Sequence, residues 1–330
     1  MAATTTIDQP LVYQQNDGKP LDRAQCTDRA PLIKGRPHDK GDDREAGDRH
    51  PCEMSSSPLC TRIWLEEPEA DNPFATRSAR CHGYDVYGQM VGQARWVDML
   101  YLLFRGEVPT LAQSQMLEAL AVALANPGPR DPMVHAAMCG GVGGSPAAAS
   151  LMAALSVGAG QSGGARDVFL AMKCWAACQD VEASGWAEVL TRHTPPTWLA
   201  PEDAGWPVIE HPAGFDPHGV STATVVLQTL ETLASMSTGP RLPWMVAHRA
   251  ELERVAGLPL AMTGVAAAAL ADLGFEGAQG EMLHLLLRLP GSAAHALEQA
   301  RNGFKRFPYP AVDLQDDPRR VPTDAQEAQA

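Results

Sequence analysis

Between Met133 and Leu170 the chain is built largely from Ala, Gly, Ser and Met, and no other stretch restricts the fold as strongly. Residues with so little side chain suit helices whose backbones approach a neighbour closely. Two buried helices are expected here, meeting at a subunit interface. The glycines of "GGVGGSP" at 140 to 146 do not form a phosphate-binding loop, because no β-branched strand precedes them and no Gly-Lys-Ser/Thr follows.

Helical spacing extends to both sides of this region. Met90, Val91, Ala94, Val97, Met99, Leu100, Leu103 and Phe104 recur at intervals of three and four, predicting an amphipathic helix that Gly106 and Pro109 end. A second helix is expected from Leu111 to Ala125, entered through Pro109-Thr110 and stopped by the prolines of "ANPGPRDP". Helical patterns cover roughly 165 to 192 and 219 to 237, separated by a Pro- and Trp-rich irregular connection. The last third reads as two buried helices with a turn near Gly274 and Gly277. No strand-like run exceeds four or five residues, so the fold should be nearly all α.

Residues 1 to 57 are polar, mix charges with Gly and Pro, and show no hydrophobic period, which marks a disordered or loosely attached arm. The compact region should begin near "CTRIWLEEPEADNPF". The 330 residues include 26 basic and 39 acidic side chains, a formal charge of -13, which disfavours a nucleic-acid partner. There is no secretory leader pattern and no apolar run long enough to span a membrane, so a cytoplasmic location is expected. Seven cysteines fit reduced thiols better than a disulfide framework. Cys174 and Cys178 share a helix face as small core residues. Cys52, Cys60, Cys81, His50 and His82 are too irregularly spaced for a zinc site, and no metal is expected.

Five phrases in order, "CHGYDV", "YLLFRGEVPT", "GGAR", "DLGF" and "RLPGSAAHALEQ", resemble the citrate synthase superfamily, nearest its citryl-CoA lyase branch and the C-terminal module of ATP-citrate lyase. The resemblance spans about Thr61 to Pro308. It implies an all-α homodimer with a large helical domain and a smaller inserted helical domain. By position, the citrate-synthase-like region covers 58–320, with a large subdomain at about 58–160 and 257–310. The small subdomain covers about 161–256, and a polar tail covers 311–330. The implied ligands are an acyl-CoA or CoA and a small carboxylate, with no covalently bound cofactor.

In such proteins a carboxylate removes a proton from the thioester methyl, one histidine steadies the enolate and another polarises the ketone. The position matching the first histidine is Ser162, before Gly163 and Gly164; a serine hydroxyl donates a hydrogen bond but does not become a cation near neutral pH. The loop "PAGFDPHGVSTA" aligns preferably with a deletion that loses the second histidine, because Asp216-Pro217 then starts the next helix in the right place; without a gap His218 falls one residue away. The position of the aspartate is Thr263, whose hydroxyl is no proton acceptor. Asp272, nine residues on, reads as structural.

Arg288 matches an arginine that holds substrate carboxylate, and Arg306, with Arg301 and Lys305 nearby, falls where a subunit reaches its partner's site. Gly163 and Gly164 would line the ligand. His295 reads as a hydrogen-bonded core histidine, with His284 three turns earlier on the same face. Three functions stay open: a non-catalytic partner or regulator that keeps the cleft, a divergent lyase or synthase using His218, His211 or Asp216, and a structural dimerisation module.

Overall fold

The computed structural model describes residues 61–178, 185–193 and 211–312, and two compact units meet in sequence at Leu117 and Glu118. The expected arm at 1–57, most of the Pro- and Trp-rich connection, and the tail beyond Val312 lie outside the described residues.

The first unit holds a sheet, which the sequence reading did not anticipate. Strands β1 (Trp64–Pro68), β2 (Thr76–Cys81) and β3 (Tyr84–Asp85) pair antiparallel in that order. The buried positions of β2 are Ala79 and Cys81, so the alternation that marks a half-buried strand carries no large apolar residue. The turn between β2 and β3 is His82-Gly83, both at positive φ (48° and 91°), as a tight two-residue hairpin requires. A histidine in the first of these places gives no obvious turn signal.

Asp85 then accepts the Gly88 N–H at 2.9 Å and starts a π-helical turn over Val86–Met90. The helix expected from Met90 begins instead as α1 at Trp96–Arg105, because the chain turns through Gly92 at φ 85°. Its start is closed by Asp98, which accepts the Arg95 N–H at 2.9 Å, and its end by left-handed Gly106. Cys81, Met90 and Leu102 form one core cluster in this unit, packed with Trp64, Tyr84 and Met99. Helix α2 (Leu111–Leu124) starts at Thr110 with a reciprocal cap: Thr110 N–H donates to Gln113 Oε1 at 2.9 Å, and Gln113 N–H to Thr110 Oγ1 at 3.3 Å.

The second unit is helical: α3 (Pro132–Val142), α4 (Ala147–Gly158), α5 (Ala165–Ala177), α6 (Trp186–His193), α7 (Thr224–Met236), α8 (Arg241–Ala256), α9 (Met262–Asp272) and α10 (Gly277–Asn302). The close approach expected of the glycine-rich segment occurs within one chain. A Cβ on Gly141 would lie 2.2 Å from the Ala296 carbonyl oxygen of α10, and one on Gly158 would lie 2.6 Å from Met133 Sδ. Helix α10 contains Pro290, which has no N–H to donate; the next amide, Gly291, bonds the Ala125 carbonyl at 2.8 Å.

Two features differ from expectation. Helix α8 was not foreseen, since Pro240, Pro243 and scattered charges hide its pattern. Helix α7 begins at Thr224, not at Asp216-Pro217, which removes the reason for preferring the deleted alignment of that loop. Asp272 has a structural role: its carboxylate accepts the Arg241 and Leu242 N–H groups at 2.9 Å each and the Ser237 hydroxyl at 2.8 Å, closing the start of α8. Among the described residues no helix is long and apolar enough to cross a membrane, and no group of three or more metal-ligating side chains occurs.

Candidate functional site

Helix α5 starts from Ser162-Gly163-Gly164. Gly164 is its N-cap, and a Cβ there would lie 2.3 Å from the Gly160 carbonyl oxygen. Only glycine fits that turn. Gly163 has φ 67°, and Ser162 is exposed.

One turn into α5 stands Asp167, 1% exposed. Thr263 at the start of α9 donates its hydroxyl to Asp167 Oδ2 at 2.5 Å, and the Gly214 N–H donates to Oδ1 at 3.1 Å. His211 Nε2 lies 3.8 Å from the same Oδ1, with both side chains buried. Burial pushes the Asp167 carboxyl above its usual range, opposed by the bonds from Thr263 and Gly214 and by His211. Three segments therefore converge on one carboxylate.

Glycines set how closely these segments meet. A Cβ on Gly264 would lie 2.4 Å from the Gly214 carbonyl oxygen, which accepts the Ala261 N–H at 3.0 Å. Beside this contact is an apolar cavity of about 20 Å³ bounded by Trp175, Trp186, Phe215, Met245 and Leu260. That volume is on the scale of a single water molecule.

Of the matched positions, Thr263 is buried in this cluster, and Ser162 is exposed ahead of α5. His218 is also exposed, its backbone N–H bonded to Asp216 Oδ1 at 2.9 Å. His211, the other histidine considered from the sequence, is the one beside the carboxylate.

Arg288 is only 4% exposed. Its Nη2 donates to Asp131 Oδ2, while Nη1 lies 3.4 Å from the Gly163 carbonyl oxygen and 3.4 Å from His284 Nε2. Asp131 is the N-cap of α3, where Oδ1 accepts the Met133 N–H at 2.9 Å and the Val134 N–H at 3.4 Å. Burial, reinforced by the neighbouring guanidinium, drives the His284 imidazole down to about 3, so it is neutral. Among the described residues its buried Nδ1 has no hydrogen-bond partner. Arg301, Lys305 and Arg306 are exposed at the end of α10 and the 3₁₀ turn Phe304–Arg306. His295 bonds Asn126 Oδ1 through Nε2 at 3.2 Å, and Cys174 and Cys178 are buried in α5 and at its end.

Sequence reasoning missed both acids that organise these clusters. An Asp in the first turn of a helix ordinarily complements the helix dipole at the surface, so Asp167 carried no sign of burial. Asp131 was readable as a cap, since it precedes a proline at the first helical position, but its partner 157 residues away was not.

No family sequence model and no curated protein sequence matches the chain. Solved structures do. Citryl-CoA lyase from Hydrogenobacter thermophilus aligns at a TM-score of 0.60 and 18% identity, covering 81% of this chain and 99% of the lyase. ATP citrate lyase from Methanothrix soehngenii, in complex with citrate and coenzyme A, aligns at 0.56 and 15% identity, covering 83% of this chain and 43% of that one. ATP citrate lyase from Methanosaeta concilii, in complex with (3S)-citryl-CoA, aligns at 0.58 and 17% identity, covering 94% and 48%. The chain thus spans less than half of either ATP citrate lyase but nearly all of the citryl-CoA lyase. Its mostly helical architecture is the citrate synthase-like fold of these enzymes.

Proposed function

We propose that the chain is a citryl-CoA lyase-like homodimer that holds a CoA thioester or small carboxylate without cleaving it, acting in the cytoplasm as a non-catalytic partner or regulator. The proposed cleft lies between the expected large and small subdomains. The observation that carries this reading is the state of residue 263. Where the resemblance calls for a carboxylate base, a threonine spends its hydroxyl on buried Asp167. The other matched position on a helix start, Ser162, also offers only a hydroxyl. A set with neither an exposed base nor an imidazole in those places lacks acid–base help worth about 10²–10⁴ in rate.

A second reading has one specific observation in its favour. His211 and Asp167 form a buried imidazole and carboxylate pair where the three segments meet. Opening of that seam would present a replacement acid–base pair to a thioester.

Purified protein is mixed with citryl-CoA, and separately with acetyl-CoA and oxaloacetate, while thiol and acetyl-CoA release are followed beside thermal shifts with CoA and citrate. A CoA- or citrate-dependent shift without turnover is the expected result. Turnover lost in His211→Ala would replace the first reading with the second, and a protein that neither turns over nor shifts would remove both.

A further inference from the structure

The sheet of the first unit carries a cleft of about 390 Å³, bounded by Trp64, Glu66, Thr76, Arg77, Ala79 and Tyr87. It shares no residue with the candidate site. We infer that this cleft binds a small quaternary ammonium compound, its charged head resting on Trp64 and Tyr87 beside the Glu66 carboxylate.

The register of the sheet assembles the walls. Trp64 lies opposite Cys81, and Glu66 opposite Ala79, so these four share one face of the antiparallel pair. Trp64 packs with Cys81, Met90 and Leu102, which makes its indole a wall fixed by the core. Tyr87, from the π-helical turn, also lines the cleft and is 67% exposed. A ring left so far in water contributes little to the fold and stays open to a ligand.

Charge selects the class of ligand. Glu67, on the opposite face, accepts the Ser78 hydroxyl at 2.8 Å and pairs with Arg77 at 3.3 Å and Arg80 at 3.9 Å. Its neighbour Glu66 accepts from neutral groups, Trp64 Nε1 at 2.7 Å and, more loosely, Thr76 Oγ1 at 3.4 Å. Among the described residues no cation pairs with Glu66. Arg77 lines the cleft, yet its guanidinium is already engaged by Glu67. The cleft therefore holds an uncompensated carboxylate beside aromatic rings.

That charge repels an anion, and among the described residues no group of three or more metal-ligating side chains occurs to hold a metal ion. The volume is at the lower end of small-molecule sites, about 300–1,000 Å³, which suits a compact organic cation. A methylated ammonium matches both parts of the cleft. Its charge is drawn to the ring faces and to Glu66, while its methyl groups remove apolar ring surface from water. A primary ammonium is more strongly hydrated and brings three donors, for which the aromatic walls offer no acceptor.

The test titrates choline into the full chain by calorimetry, beside ethanolamine and the uncharged choline isostere in which carbon replaces nitrogen. The titrations are repeated with Glu66→Gln, Tyr87→Leu and the double variant. Both positions are exposed, so thermal unfolding should change little. Choline should bind with a Kd of about 1 mM or tighter, and ethanolamine and the isostere at least about fivefold more weakly. Each substitution should weaken choline by about two- to fivefold, and the two together by about tenfold.

No saturable choline binding up to about 10 mM overturns the inference. The isostere binding as well as choline also overturns it, since the cleft would then be merely apolar. Ethanolamine binding as well as choline does the same, as does an unchanged choline affinity in the double variant. A trimethyl-lysine peptide that binds where choline does not would make the occupant a protein tail and refute the small-molecule assignment. None of these outcomes touches the proposed function, whose residues lie in the other unit.

Discussion

Replacing Thr263 by valine isolates the bond at the centre of the candidate site. Valine keeps the shape of threonine and deletes only the hydroxyl that donates to Asp167 Oδ2 at 2.5 Å. Both residues are buried, at 4% and 1% exposure, so solvent does not replace the lost donor. A hydrogen bond to a charged group contributes about 1.5–3 kcal/mol. At roughly 2–4 °C per kcal/mol for a domain of this size, the Tm should fall by about 3–12 °C. Urea unfolding followed by circular dichroism should show a lower midpoint at unchanged slope. Asp167→Asn and the double variant complete a cycle whose coupling should be about 1 kcal/mol or more. A loss under about 0.5 kcal/mol, or an additive cycle, would refute the assignment of Asp167 as the group joining α5, α9 and the 211–215 loop.

The pH dependence should carry the mark of His284. Its folded value is depressed from 6.5 to about 3, so the unfolded chain binds a proton that the folded chain refuses. Stability from this group is present above pH 6.5 and is lost as pH falls toward 3, at about 1.4 kcal/mol per unit where only the unfolded histidine is protonated. His284→Leu should flatten that part of the stability curve, and an unchanged slope would count against a neutral buried imidazole. Gly141→Ala should destabilise by about 1–3 kcal/mol or more, because the added methyl meets the Ala296 carbonyl at 2.2 Å and neither backbone can yield easily; a neutral effect in denaturant melts would disprove that approach.

The helices that announce themselves in the sequence are those with a stripe and punctuation. Thr110 and Gly106 mark boundaries that the structure keeps. Small residues foretold close helices, and Gly141 and Gly158 make the contacts. The sheet was hidden because Ala79 and Cys81 give no contrast against the polar residues between them, and α8 because its apolar positions form no clean face. At the site, Thr263 and Ser162 were singled out only through a resemblance spread from about Thr61 to Pro308. Asp167 and Asp131 were not, since burial of an acid depends on partners 96 and 157 residues away, and local spacing carries no trace of such distances.

The packing of α5, α6 and α8 has an optical consequence. Trp175 stands edge-on to Trp186 at 4.6 Å and to Trp244 at 5.7 Å, while Trp186 and Trp244 stack at 5.6 Å. His248 lies flat against Trp244 at 4.3 Å. Three of the seven tryptophans are thus held close enough for their electronic transitions to couple. The near-ultraviolet signal of this chain should therefore be dominated by one knot beside the candidate site. Loosening of α6 would register there as a spectral change before the backbone signal of the remaining helices altered.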